Sequence, residues 1–196
     1  MKPKESIGFE AQYDSVSILQ KTLNELPLNA PKISTCHQDI RYIPNYFPHL
    51  LNSVALITGN PPYLRTTGRL PLDQQRREAR FEMKGGIEEY CQIASKLLSP
   101  HGRFVCSFPS KDNNRIQNAA SDSNLIITKK YDLLMGVSRS RDISIYNMIR
   151  KNDENCHEIT VAEEIDIKRD KQTNSLSKLY MNIRSDILEL KKRPLK

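Results

Sequence analysis

The stretch 55–69, ALITGNPPYLRTTGR, sets four residues with useful chemistry side by side. Pro61 and Pro62 hold φ near about −65° and have no N–H, so the backbone is stiff there and its carbonyls are left as free acceptors. Asn60 adds a side-chain carbonyl, and Tyr63 adds a flat apolar face with a hydroxyl. Two acceptors and a ring suit a planar group that carries an NH2. Both amino hydrogens can be accepted while the ring stacks on the heterocycle or amide plane, which holds the nitrogen lone pair toward an electrophile. A Pro-Pro-Tyr turn can also do no more than end a strand. Asn directly before it, and a strand before that, tip the reading to a site.

The elements that must position this quartet alternate along the chain. Residues 6–11 read as a short strand ending in an acid, and 15–26 as a helix with Val16, Ile18, Leu19, Leu23 and Leu26 at helical spacing. Residues 32–40 and 53–59 are a second and a third strand, each punctuated by Pro, Asn or Asp. A long helical signal runs from Asp73 to Ser99, and the turn SPHG ends it. Residues 103–109, RFVCSFP, form a continuous apolar strand of the kind buried on both faces, and a polar helix follows over 112–120. Residues 125–135 and 142–151 predict a terminal antiparallel pair, because the GVSRSR link is too short for a crossover helix. The sum is an α/β fold with a Rossmann-like, doubly wound, mostly parallel sheet. In such a sheet ligands gather at the carboxyl ends of the strands, where Asn60 to Tyr63 fall.

At 196 residues the chain is one domain with a tail: 1–155 reads as the domain, and 156–196 as a charged extension with a strand, a polar turn and a closing helix. The net charge of +7 makes a polyanionic partner such as nucleic acid plausible without specifying one. Cys36, Cys91, Cys106 and Cys156 show no C-x-x-C pair, so neither a disulfide framework nor a zinc ribbon is suggested and a reducing compartment fits best. The pairs Cys36-His37 and Cys156-His157 are read as ordinary turn or strand residues, and no metal is expected. No run approaches the roughly 18 apolar residues of a membrane span, and the N-terminus lacks the apolar core of a signal peptide. A cytoplasmic protein without a membrane partner is expected.

ITGNPPYLRT resembles the Asn-Pro-Pro-Tyr motif of class I S-adenosylmethionine-dependent methyltransferases that modify exocyclic or amide nitrogens. The following RREARFEMKGGIEEYCQIASKLLSPHGRFVCSFPS is similar to the branch that methylates adenine-N6 in the anticodon loop of a valine tRNA. The resemblance runs from about Ser6 to Ile149 and continues more faintly through IDIKRDKQTNSLSKLY. It implies S-adenosyl-L-methionine as cofactor and RNA, most plausibly tRNA, as partner. Glu10 matches the acid that hydrogen-bonds the cofactor ribose, Asp39 the acid that approaches its adenine amino group, and Ile40 an apolar wall beside that ring. Asn60, Pro61, Pro62 and Tyr63 match the target-amino site. Glu10 could equally be a solvated strand-end acid, and Asp39 a turn cap.

Transfer from a sulfonium to nitrogen is an in-line displacement that alignment and amino-group polarisation can largely catalyse, so no catalytic histidine is assigned to His37, His49, His101 or His157. For RNA contact the candidates are Arg65, Arg69, Arg76, Arg77, Arg80, Arg139 and Arg141, any of which could also be a solvated charge. Two other readings stand beside this one: a glutamine-N5 methyltransferase of release factors, and an inactive nucleic-acid-binding remnant.

The departure from the family pattern lies before Glu10. A first strand and glycine-rich loop belong there, and of seven glycines only Gly8 falls in that region. The expectation is an N-terminally truncated domain whose sheet lacks a central strand, with cofactor binding weak or lost, and with a partner chain or missing N-terminal segment completing the sheet.

Overall fold

The computed structural model describes residues 5–26, 32–66, 71–135, 140–151 and 163–166. Strand β1 (Glu5–Glu10) leads through helix α1 (Tyr13–Asn24) to β2 (Lys32–His37), and the two strands pair in parallel, with Glu10 opposite His37. A connection built from 3-10 turns and the short α2 (Ile43–Tyr46) brings the chain to β3 (Val54–Gly59). Helices α3 (Gln74–Arg80) and α4 (Ile87–Leu97) precede β4 (Leu98–Pro109), and α5 (Asn113–Asp122) precedes β5 (Leu125–Met135), β6 (Ser140–Arg150) and β7 (Glu163–Asp166).

These strands form two sheets, β1-β2 and β3-β4-β6-β5-β7. β3 and β4 are parallel, as the helical crossover between them requires. β6 inserts between β4 and β5 and runs antiparallel to both, the arrangement that the short link after β5 predicts. β7 lies parallel to β5 at the far edge, with Tyr131 opposite Glu163. The expected closing helix lies outside the described residues. No helix among the described residues is long and apolar enough to cross a membrane.

Helix α4 holds the two sheets to one core because it carries two apolar stripes. Ile87, Cys91 and Ala94, with Leu98 after them, pack with Phe104, Cys106 and Phe108 of β4, Tyr146 and Met148 of β6, and α5. Ile93 and Leu97 pack instead with Ile43 of α2, and Phe9 of β1 and Val54 and Ile57 of β3 lie against that group. A side chain buried this way contributes roughly 1.5–3 kcal/mol, so α4 is the element whose loss would separate the halves.

Three boundaries differ from the sequence expectation. The helix expected over 73–99 is two helices, broken at Gly85, whose φ of 104° suits glycine, and at Gly86, where a Cβ would lie 2.9 Å from Arg115 Nη2. β4 starts at Leu98 and runs through SPHG, because Gly102 lets it pass against β3: a Cβ there would meet the Val54 carbonyl at 2.6 Å. The second strand stops at His37, where one further bond from Gln38 N–H to the Glu10 carbonyl (2.9 Å) leads into the 3-10 turn capped by Asp39.

Candidate active site at the strand ends

Gly59 ends β3 in a tight place, since a Cβ there would lie 3.1 Å from the Tyr90 ring and 3.3 Å from Phe104. Asn60 then emerges exposed. Cys106 is the register partner of Gly59, so Ser107 falls beside Asn60, and its hydroxyl donates to Asn60 Oδ1 at 2.5 Å. This bond fixes the carboxamide and leaves a second lone pair on Oδ1 for another donor. Pro61 is fully buried and Tyr63 is 40% exposed. Leu64 pairs with the segment after α3: its N–H donates to the Arg80 carbonyl and its carbonyl accepts from Glu82 N–H, both at 3.0 Å. A buried proline on one side and a bridged leucine on the other therefore pin the chain around an open tyrosine ring.

The two acids stand at the ends of the neighbouring strands. Glu10 Oε1 accepts from the backbone N–H of Gln12 at 2.8 Å, just before α1. Asp39 accepts from Arg41 N–H and Nε at 3.0 Å each through Oδ1, and from Nη2 at 2.6 Å through Oδ2. Burial opposes the Asp39 charge, but the Arg41 hydrogen bonds, with the charges of Arg41 and Lys84, outweigh it and hold the carboxyl below its ordinary value. Ile40, partly buried, packs against the Ile43, Ile93 and Leu97 group. Tyr90 of α4 packs on Gly59, and burial together with the charges of Glu10 and Asp39 pushes its hydroxyl up to about 12.

The segment between α3 and α4 closes over these ends. Lys84 Nζ donates to the Ala11 carbonyl at 3.1 Å and pairs with Glu78 at 2.7 Å. Arg115 of α5 donates to both oxygens of Glu82 (2.5 and 2.9 Å) and both of Glu88 (2.7 and 2.6 Å), with its guanidinium 5.8 Å from the Phe108 ring centroid. Glu82 is the residue that binds the Leu64 carbonyl, so Arg115 locks the post-motif segment to α5.

The structure thus places Tyr90 against Gly59, directly before Asn60, within range of the charges of Glu10 and Asp39. Of the arginines proposed for RNA, Arg65, Arg76 and Arg80 are exposed on the post-motif segment and Arg77 is half-buried. Arg69, Arg139, Cys156 and His157 lie outside the described residues, and Arg141 falls on β6. Sequence reasoning did not single out Ser107, Tyr90, Lys84 or Arg115. Register alone identifies Ser107, and spacing does not pair Arg115 with Glu82 or Glu88, 33 and 27 residues away.

No family model matches the sequence. The chain is 27% identical over 111 residues to a tRNA1(Val) (adenine(37)-N6)-methyltransferase of Bacteroides fragilis, an overlap of 56% of this chain and 45% of that protein. In structure it is similar to a protein of Agrobacterium tumefaciens described as a predicted O-methyltransferase, with a TM-score of 0.66 and 12% identity over 91% of this chain and 76% of that one. It is also similar to the M protein of the type I restriction enzyme EcoKI, with a TM-score of 0.53 and 12% identity over 92% and 40%. The chain spans about half the length of the curated relatives it matches, and it has the α/β fold of these methyltransferases.

Proposed function

We propose that the chain is an S-adenosylmethionine-dependent N-methyltransferase acting on the exocyclic amino group of adenine in RNA, with tRNA as the substrate class and the cytoplasm as its place of work. One observation carries the reading: Asn60 stands exposed at the end of β3 with its amide held by Ser107, and buried Pro61 and the open ring of Tyr63 follow it. The name of the Bacteroides relative supports the adenine and tRNA assignments.

The residues present fit the nucleoside part of the cofactor. In this reading Glu10 would take the ribose hydroxyls, and Asp39 and Ile40 the adenine. Asp39 has both oxygens on Arg41, yet a carboxylate offers about four lone-pair sites and keeps acceptor capacity. When bound, S-adenosylmethionine supplies an electrophilic methyl group. The chain's own contribution is alignment: Asn60 Oδ1 and the Pro61 carbonyl accept the two amino hydrogens, and Tyr63 stacks on the base. Polarising the amino group in this way stabilises the positive charge that grows on nitrogen. Arg65, Arg76 and Arg80 are exposed, and in this reading they would meet RNA phosphates.

The test is incubation of the purified chain with saturating methyl-labelled cofactor and tRNA, and in parallel with a release factor, followed by nuclease or protease digestion. Label in N6-methyladenosine that disappears with Asn60→Ala supports the proposal. Label in a release-factor glutamine, or label in RNA that Asn60→Ala leaves unchanged, overturns it.

A further inference from the structure

The amino ends of β3, β4 and β5 lie beside the carboxyl end of antiparallel β6, and a cavity of about 460 Å3 opens among them. Asn52 stands two residues before β3, Pro100 is the third residue of β4, Asn124 directly precedes β5 and Arg150 ends β6. These four line the cavity together with Ser95 and Lys96 of α4. Asn60 follows the other end of six-residue β3, about 20 Å away at a rise of roughly 3.3 Å per residue. The cavity is therefore separate from the candidate active site.

Around this cavity the acceptors are taken and the donors are left. The last three carbonyls of α4 each receive a bond: Ser95 from Arg150 Nη2 at 2.6 Å, Lys96 from Asn52 N–H at 3.1 Å and Leu97 from Ser53 N–H at 3.0 Å. These bonds offset the negative end of the helix dipole. Arg150 Nη2 also donates to Asn52 Oδ1 at 2.7 Å, and the Asn124 carbonyl accepts from Lys151 N–H at 3.0 Å. What remains is the exposed Lys96 ammonium, the Asn52 amide NH2 and the rest of the Arg150 guanidinium, whose Nε–H is buried without an acceptor. No Asp or Glu among the described residues lines the cavity, and none of them pairs with Arg150 or Lys96. Asn52 and Asn124 are also the two non-glycine residues with positive φ among the described residues, at 54° and 58°. Glycine is the usual residue at such a turn, and asparagine in its place brings two side-chain amides to one cavity.

We propose that this cavity is a second ligand site, which binds a small sugar phosphate through its phosphate monoester. Two cations without carboxylate partners match the charge of about −1.5 to −2 on a phosphate monoester better than the single charge of a carboxylate. Arg150 is held in place by Asn52 and Ser95 before any ligand arrives, and Lys96 meets the phosphate as a point charge. The volume falls within the range of small-molecule sites and leaves room beyond the phosphate. No aromatic ring lines that room, so it suits a sugar, whose hydroxyls the Asn124 amide and the Ser95 hydroxyl can bind, better than a stacked base.

Titration calorimetry of the full chain with ribose 5-phosphate tests this, with ribose as the control. The expected result is saturable binding with a Kd below about 1 mM, no heat from ribose at the same concentrations, and no competition from S-adenosylhomocysteine. Lys96→Met changes an exposed side chain and should weaken binding at least about tenfold through the loss of one charged hydrogen bond. Asn124→Gly keeps the left-handed backbone and removes only an exposed amide, so it should weaken binding about threefold or more while the chain stays folded by circular dichroism. No saturable binding below about 1 mM, equal binding of ribose, competition by S-adenosylhomocysteine, or an affinity that both variants leave unchanged would overturn the proposal. None of these readouts depends on methyl transfer.

Discussion

The Arg115 lock makes a quantitative demand. Its side chain is 18% exposed and that of Glu82 14%, whereas Glu88 is half exposed. Arg115→Met keeps the aliphatic contact with Phe108 but strands the Glu82 carboxylate, both of whose oxygens bind this one guanidinium. Removing one partner of a fully buried pair costs about 3–5 kcal/mol. Partial exposure lowers this to roughly 2–3 kcal/mol, with the Glu88 arm adding less than about 1 kcal/mol because solvent screens it. For a chain of this size that is a fall in melting temperature of about 5–10 °C.

The assay is urea unfolding of Arg115→Met, Glu82→Gln and the double variant. Because the Glu82→Gln change removes the charge that Arg115→Met alone would strand, the double variant should recover about 1–2 kcal/mol of the sum of the single losses. The pair also has a pH signature. The Arg115 hydrogen bond, as the largest cause, holds Glu88 below its ordinary 4.5. A carboxylate depressed in the folded state contributes stability that is fully present above its unfolded value and is lost as pH falls through the lower folded one. Arg115→Met should therefore flatten the acid side of the stability profile below about pH 4.5. An Arg115→Met protein within about 0.5 kcal/mol of the parent, with additive single losses, would refute the lock.

Other changes follow from single contacts. Ser107→Ala should lower kcat about tenfold with little change in KM for RNA, because it frees the Asn60 amide without touching the substrate; an unchanged kcat would show that Asn60 needs no support. Gly102→Ala should cost about 2–3 kcal/mol of stability and lower the urea midpoint accordingly, since its Cβ would meet the Val54 carbonyl at 2.6 Å, and a neutral result would mean that β4 can shift. Gly85→Ala, at a φ of 104°, should cost about 1–2 kcal/mol in the same measurement. Asp39 and Glu78 are also held below their ordinary values, so the parent should lose stability progressively as pH drops through 4.5 and 3.8 and below, as read by melting temperature.

The elements that could be read in the sequence were those whose pattern is local. The continuous apolar run Phe104–Phe108, the short link after β5 and the helical spacing of α1 each follow from neighbours in sequence. The break between α3 and α4 was hidden because Met83 and Ile87, four residues apart, keep an apolar rhythm across it, and only the backbone geometry of Gly85 shows that the helix must stop. The same division runs through the site. Asn60 to Tyr63 stand out because four unusual residues adjoin, whereas Ser107, which bonds Asn60, Tyr90 beside Gly59, and Arg115, which holds Glu82, are ordinary where they stand. For Asp39 the cap expected of a turn acid is there in its bonds to Arg41.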